Sequence, residues 1–513
     1  MLKAGLPAAI STTLMSCGQP SQNRDPSVLR IAAGPDRYNT SPGRFTFASS
    51  RPNVHIAEPP VRANANMQAE PCLFERWTHE GEGAFLVHLR KGVQFHNGVR
   101  LNADTFLEAA KQFIAPRDFL GVDPQSLKRV DEYSVSLRSL TASAMMVNTM
   151  THTAASLFLS HRDSATSPVG TGPYRFLRYE PKRMIEVERF ENYWGPKPRY
   201  QRISFRFMAD PQARMLALRT RDVDIISDVV PEMLAGLDPA DQSIALHCSR
   251  PVRYAALLCN QHGAPPFDKL SDVRIRKALA LAIDRERIAR LMYRGTATVA
   301  RGVLPGWMYG MGEATPRGFG FEPARAAQIL DEAGWRMGTE GVRQKNGSPL
   351  ALRLISAFPN ASAVKPLPEL LQQMFRAVGV SLEIIEVEDG ELYYSGYADR
   401  GQGDLFLELA GGGNSDPTYL LQNIFHSKAP WRFYRYVAPG KDVDSLIDAA
   451  RQESDLTSAV SRIREAHRLI IDEHIAAIPV LMVPVFVLSQ PGVELTMKEN
   501  LDWIQFGNAR LKT

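Results

Sequence analysis

Between Ser167 and Phe207 apolar and polar positions alternate with a period of two. Ile185 and Val187 alternate with Glu186 and Glu188, and Ile203, Phe205 and Phe207 alternate with Arg202, Ser204 and Arg206. This is the pattern of half-buried strands. Gly170-Thr171-Gly172-Pro173, Glu180-Pro181-Lys182 and Tyr193-Trp194-Gly195-Pro196 punctuate the segments, so the block reads as a small sheet. Asp210 then offers an acceptor to the free amides of a first helical turn, and Pro211 sits where a missing N–H costs nothing, so a helix is predicted to begin there. A buried strand follows at Val223, Ile225 and Ile226.

The same reading applies along the rest of the chain. A first strand starts at Val28 and ends in the loop Pro35-Asp36-Arg37-Tyr38, of the kind that faces a cleft. Phe85, Val87 and Leu89 mark a strand that turns at Lys91-Gly92, Asn97-Gly98 supplies a second turn, and Asn102 caps a helix carrying Phe106, Ala109, Ala110 and Phe113. Tyr133, Val135 and Leu137 alternate as a strand, and Ala142 to Leu159 reads as an apolar helix.

After Pro251 the character changes. A strand from Tyr254 to Asn260 precedes a helix with Ile275, Ala278, Leu279, Ala282 and Ile283 at helical spacing, then a second helix capped by Asp284 and closed by Gly295. Glu322 to Trp335 is a helix. Strand (Leu352, Leu354), helix (Pro366 to Val378) and strand (Val380, Leu382, Ile384) form a βαβ unit with parallel strands. A strand from Asp404 to Leu409 runs into Ala410-Gly411-Gly412-Gly413-Asn414-Ser415-Asp416-Pro417; helices follow from Val443 and from Leu456 to Ile475, then a buried strand run from Ile478 to Leu488.

A chain of 513 residues exceeds one ordinary core and predicts two or three domains. The formal charge of +5 is small for this length and the two signs are interleaved, so nucleic-acid binding has no electrostatic support. No run approaches the ~18 apolar residues that a spanning helix needs. At the amino terminus, Lys3, a short apolar stretch and Leu14-Met15-Ser16-Cys17 resemble a lipoprotein signal in which Cys17 is acylated, and Gly18 to Pro26 reads as a tether. Cys72, Cys248 and Cys259 then remain, without metal-like spacing; Cys248 and Cys259 are either bridged or free thiols.

Catalytic motifs do not emerge. There is no G-x-S-x-G elbow, no Walker A loop and no H-E-x-x-H pair. His88 and His96 are separated by a turn, His152 lies in an apolar stretch, and His467 with Glu473-His474 lies on a helix whose apolar stripe suits packing, so each reads as structural. Gly170 to Pro173 is no phosphate cradle, since Pro173 removes an amide donor and a strand follows.

The runs GTGPY, NYWGPKP, ISFRF, DPQARMLAL and DVDII, with the Asn97-Gly98 and Asn102 block and the helix pair around Asp284, resemble the extracytoplasmic solute-binding proteins of peptide and nickel importers, family 5. Arg221-Asp222 stands where that family usually carries Gly-Glu. The resemblance implies an α/β, two-lobed periplasmic-binding-protein clamshell with an extra subdomain in the first lobe. Its expected division is signal 1–17, tether 18–27, first lobe 28–251 with the extra subdomain at about 55–165, second lobe 252–484 and return segment 485–513, with hinges near Pro251 and Pro484. It implies capture of a peptide-like or metal-chelate small molecule and delivery to ABC permease and ATPase subunits. The chain is then a monomer, lipid-anchored on the extracytoplasmic face of the membrane, with no cofactor, metal or bond chemistry of its own. A ligand-sensing receptor of the same shape and a hydrolase are the alternatives.

The Gly-rich loop is where ligand contacts are expected, because loops at strand carboxyl ends face the crevice and glycines admit close backbone approach. Relatives that bind free peptide amino termini carry a tryptophan and an aspartate at the places of Ala410 and Gly413, and the nickel-binding branch carries aromatics at those of Gly411 and Ser415, so neither scheme transfers. Gly413, Asn414, Ser415 and Asp416 are the candidates in this loop, with Asp416-Pro417 equally readable as a helix cap. By position alone, Tyr38, Arg253, Tyr254, Asn260 and Gln261 join them. The stretch with Trp431, Tyr434 and Tyr436 reads as cleft or surface loop alike.

Overall fold

The computed structural model describes residues 24–36, 53–113, 120–141, 143–152, 155–159, 168–238, 240–310, 312, 316–357, 364–387, 392–411, 415–430, 432–495, 497, 506 and 509–511. Tyr38, Gly413, Asn414, Trp431 and the lipoprotein-like Cys17 lie outside these residues.

Two large sheets organise it. The first has seven strands in the order Ala245–Cys248, Phe486–Ser489, Ile225–Ile226, Val28–Ala33, Arg202–Phe207, Met184–Arg189 and Tyr174–Glu180. Val28–Ala33 pairs in parallel with both of its neighbours, and a central parallel strand is covered on both faces, which is why VLRIAA is apolar almost throughout. The Ser167–Phe207 block supplies three of these strands. Its alternation is blunted at the centre: Ser204 and Glu186, on the side expected to meet water, are buried, and the Arg178 Nε at 2.7 Å answers the Glu186 carboxylate. The Pro211–Arg219 helix starts as expected, with the Asp210 side chain accepting from the Gln212 amide.

The glycines of Gly170-Thr171-Gly172 have a packing reason. A Cβ on Gly170 would stand 2.1 Å from the Ile56 carbonyl oxygen, and one on Gly172 would stand 2.4 Å from that of His55. Backbone crosses backbone there, and Gly172 N donates to Ile56 O at 2.9 Å. Gly172→Ala is therefore expected to lower stability by at least the ~1–3 kcal/mol of an overpacked core; a denaturation midpoint unchanged from the parent would contradict this.

A smaller unit packs beside this sheet. Four strands, Phe74–Gly81, Ala84–Leu89, Ser134–Arg138 and Lys128–Arg129, cover the Ala103–Phe113 helix, around a core that includes Phe74, Phe85, Phe95 and Phe106. Asn102 Oδ1 accepts from the Thr105 amide at 3.0 Å, the expected cap. The apolar stretch from Ala142 to Leu159 does not form the helix expected of it. Among the described residues only Met146–Thr149 is α-helical, and Leu159 instead bridges to Val169 as an extended residue. The stretch is apolar without a helical period, so burial is met by a short turn and extended chain.

The second sheet has six strands in the order Thr298–Val299, Ala477–Val483, Arg253–Cys259, Leu405–Ala410, Ala351–Ala357 and Ser381–Val387. The predicted βαβ unit is present, with Ala351–Ala357 parallel to Ser381–Val387 and the Leu367–Ala377 helix between them. The Arg285–Tyr293 helix is capped by Asp284, but Arg294, at φ 54°, takes the first left-handed position that Gly295 was expected to fill. The second long helix is α-helical only over Leu456–Arg468 and continues as a π turn, Leu469–Glu473. Cys248 and Cys259 belong to different sheets and are free thiols.

The chain passes between the sheets twice, and the passages lie side by side. The apolar run after Ile478 divides at Pro484 into Ala477–Val483 of the second sheet and Phe486–Ser489 of the first. Ser249 N donates to Val485 O at 3.0 Å, Val485 N to Ser249 Oγ at 2.9 Å, and Val252 N to Val483 O at 3.3 Å. The chain end returns to the first core, where Phe506 is buried and its amide donates to the buried His55 Nε2 at 3.1 Å.

Candidate functional site

Beside these crossings the two sheets' surroundings enclose a cavity of about 240 Å³. It is walled by Met67 from the turn between the paired strands Val61–Ala63 and Ala69–Pro71, Val252 from the crossing, the 303–308 segment with Trp307, Glu408 and Ala410 at the end of the Leu405–Ala410 strand, and Asp416, Tyr419 and Tyr434. A hollow of about 540 Å³ on the Ala103–Phe113 helix, lined by Asp104, Leu107, Glu108 and Lys111, is an open surface depression on one helix. The enclosed cavity, apolar with a few polar groups, is the better candidate.

Asp416 lines the cavity and caps the Pro417–Phe425 helix as well, accepting from Thr418 N at 2.8 Å and Thr418 Oγ1 at 2.6 Å. Burial raises its carboxyl above the usual range. Ser415 is fully buried, and its backbone ties elements together: its amide donates to Thr151 Oγ1 at 2.9 Å and its carbonyl accepts from the Tyr309 hydroxyl at 2.6 Å. Tyr309 N in turn donates to Asn66 O at 3.3 Å, so the segment before Asp416 is fastened to the first-lobe side from two directions.

Tyr254 is fully buried in the second sheet and lies beneath the cavity, with Gly411 packed on its ring. Arg253 is the next residue along that strand and is half-buried. Neither lines the cavity. Asn260 and Gln261 stand at the strand's far end, away from it. Asn260 Nδ2 donates to Gly403 O at 2.8 Å and Gly401 O at 3.2 Å, and Gln261 Nε2 donates to Val437 O at 2.6 Å, so both amides hold neighbouring loops.

The histidines do not converge. His88 bonds Ser134, His96 bonds Gly172 O, His474 bonds Asp442, and His467 Nε2 accepts the Val303 amide at 3.0 Å. No group of three His, Cys, Asp or Glu side chains among the described residues is arranged to hold a metal ion. His152 does approach the site, its ring centroid 6.4 Å from that of Tyr419.

Glu408 was missed by pattern reasoning. In Leu405-Phe406-Leu407-Glu408-Leu409 it alternates like any solvent-facing polar residue of a strand, yet here it is half-buried in the cavity and hydrogen-bonded to the Tyr434 side chain. Burial pushes its carboxyl up to about 7. Tyr434 is itself buried and lines the cavity, whereas Tyr436 is half-buried beside Gly401.

Two lobes joined by paired crossings, with a cavity between them, define a two-lobed solute-binding protein of the periplasmic-binding type. The profile of the bacterial extracellular solute-binding proteins, family 5 Middle, matches residues 68–431, and the chain belongs to that family. It is 25% identical over 500 residues to the nickel-binding periplasmic protein of Escherichia coli (strain K12), covering 91% of this chain and 92% of that one. It is 25% identical over 439 residues to the dipeptide-binding protein of the same organism, covering 79% of each. The structure of NikA from Brucella suis in complex with Fe(III)-EDTA superposes with a TM-score of 0.82 at 22% identity, over 95% of this chain and 100% of that one.

Proposed function

We propose that this protein captures a small peptide-like molecule or metal chelate in the cavity between its lobes and hands it to the membrane subunits of an ABC importer. The observation that carries this reading is the cavity beside the crossings, to which Met67 before the first crossing, Val252 in it and residues 303–434 after it all contribute walls. A hinge made of two adjacent strands absorbs rotation in a few residues, and ligand favours closure only so far as it binds the closed form better than the open one. On this reading the lobes are 28–251 with 485–513, and 252–484, and the bound molecule leaves chemically unchanged. At about 240 Å³ the cavity is smaller than the ~300–1,000 Å³ of drug-sized sites, which favours a ligand no larger than a dipeptide.

Thermal shift against dipeptides, opine-like conjugates and nickel with histidine tests the reading, with uptake of the binding compound measured in a deletion strain. A shift with one ligand class and lost uptake are expected. Turnover of a peptide without any shift would contradict capture, and binding with unchanged uptake would favour a sensing receptor. The chain is further proposed to act as a monomer anchored through Cys17, so Cys17→Ala is expected to move the protein from the membrane to the soluble fraction; unchanged fractionation removes the anchor.

A further inference from the structure

The cavity has an electrostatic asymmetry. Two carboxylates, Glu408 and Asp416, line it, and no Lys, Arg or His does among the described residues. Asp416 spends its acceptors on Thr418, whereas Glu408 has the Tyr434 hydrogen bond and, among the described residues, no ion pair. The groups that sense the Glu408 charge are four tyrosines, Tyr254, Tyr393, Tyr394 and Tyr434. Tyr419 and Trp307 line the same space, and one face of the Trp307 ring already carries a guanidinium, that of Arg250 at 5.6 Å. The fully buried hydroxyls of Tyr254 and Tyr393 have no hydrogen-bond partner among the described residues, and both sense the Glu408 charge.

A half-buried carboxylate in a low-dielectric aromatic pocket is costly unless a positive charge meets it, and an anionic group there would be repelled. Aromatic faces add attraction for a cation. We propose that the ligand enters with a compact positively charged group, an ammonium or a guanidinium, and that Glu408 pairs with it between Trp307, Tyr419 and Tyr434. This rests on the capture reading and adds the charge of the ligand and the residue that selects it. Glu408 lies two residues before Ala410 on its strand, so the charge partner missing at Gly413 is supplied from inside the cavity wall.

The unliganded carboxyl titrates near 7, so a cation binds best where it is ionised, and its affinity rises roughly tenfold from pH 6 to pH 8. The groups that sense Glu408 are Tyr254 on its neighbouring strand, Tyr393 and Tyr394 on the Leu392–Tyr397 turn and Tyr434 on the Arg432–Arg435 helix, and Asp416 at the Pro417–Phe425 cap lines the same cavity. The tyrosines are all raised above their ordinary range and stay neutral in this window; Asp416, also raised, acts with the same sign.

The test is titration calorimetry of the full chain and of Glu408→Gln at pH 6 and pH 8. The probes are choline, its neutral isostere dimethylbutanol, agmatine, lysyl-alanine and succinate. At least one cation is expected to bind, with the neutral isostere and succinate silent. Glu408→Gln is expected to weaken that binding at least tenfold at pH 8 and to flatten its pH dependence. The same variant should unfold no earlier than the parent at pH 8, since a carboxyl raised to about 7 withdraws stability as pH rises through that value. Silence from all three cations, equal binding of the neutral isostere, or unchanged binding by Glu408→Gln overturns the proposal. If an N-acetylated dipeptide or nickel–histidine still shifts the melting curve in any of these cases, capture stands and only the cation assignment falls.

Discussion

Glu58→Ala is expected to destabilise the first lobe by about 3–5 kcal/mol, the usual result of leaving a buried charge without its partner. Glu58 is fully buried and gathers donors from three stretches of chain: Thr171 Oγ1 at 3.1 Å, Tyr193 Oη at 2.8 Å, Trp194 Nε1 at 2.8 Å, and the Arg62 guanidinium. Arg90 stacks over Trp194 at 4.7 Å and donates to Cys72 O at 2.7 Å, extending the network into the small unit. Removing the carboxylate strands Arg62, whose side chain is only 22% exposed, and orphans the indole N–H of the half-buried Trp194. Glu58→Gln keeps acceptors for two of the donors and should lose less. Urea denaturation of the three proteins checks this, and a Glu58→Ala loss below about 1 kcal/mol would contradict it.

The second large effect is a pH slope carried by His467. Its ring is buried, Nε2 accepts the Val303 amide at 3.0 Å, and burial lowers its titration to about 3 from 6.5. The unfolded chain therefore binds a proton that the folded chain refuses between these values. The stability is complete above pH 6.5 and is lost as pH falls toward 3, at about 1.4 kcal/mol per pH unit. His96, lowered to about 4, acts in the same direction, while Asp404, raised to about 6, and Glu408, raised to about 7, act oppositely. The difference between the parent and His467→Gln isolates the one residue. It should shrink by that slope from pH 6.5 downward, whereas parallel profiles would contradict the assignment.

What the sequence discloses here follows the range of the interaction. The caps at Asn102, Asp210 and Asp284 are visible because each is a side chain bonding an amide two or three residues on. The βαβ unit is visible because its periodicity switches cleanly. The Ser167–Phe207 block was legible as a sheet, but its glycines and aromatics serve a distant segment: Gly170 and Gly172 make room for residues 55–57, and Thr171, Tyr193 and Trp194 serve Glu58. Nothing local to Glu58 announces that.

The candidate site was legible only at one rim. Asp416 is at the cavity, while Asn260 and Gln261, placed by their position after a strand, turn their amides to neighbouring backbone. Glu408 hides because strand alternation assigns a polar residue to water unless something covers that face. What stands over it is Tyr434, about 25 residues further on in sequence, a relation that no period encodes. The apolar stretch from Ala142 to Leu159 fails for the converse reason, since burial without a period fixes no element.

The central claim is capture by closure of the two lobes, and small-angle X-ray scattering reads it directly. With the compound that most raises the melting temperature at saturation, the radius of gyration should fall relative to the protein alone. A radius unchanged at saturation, with binding verified in the same sample, would contradict closure on the ligand.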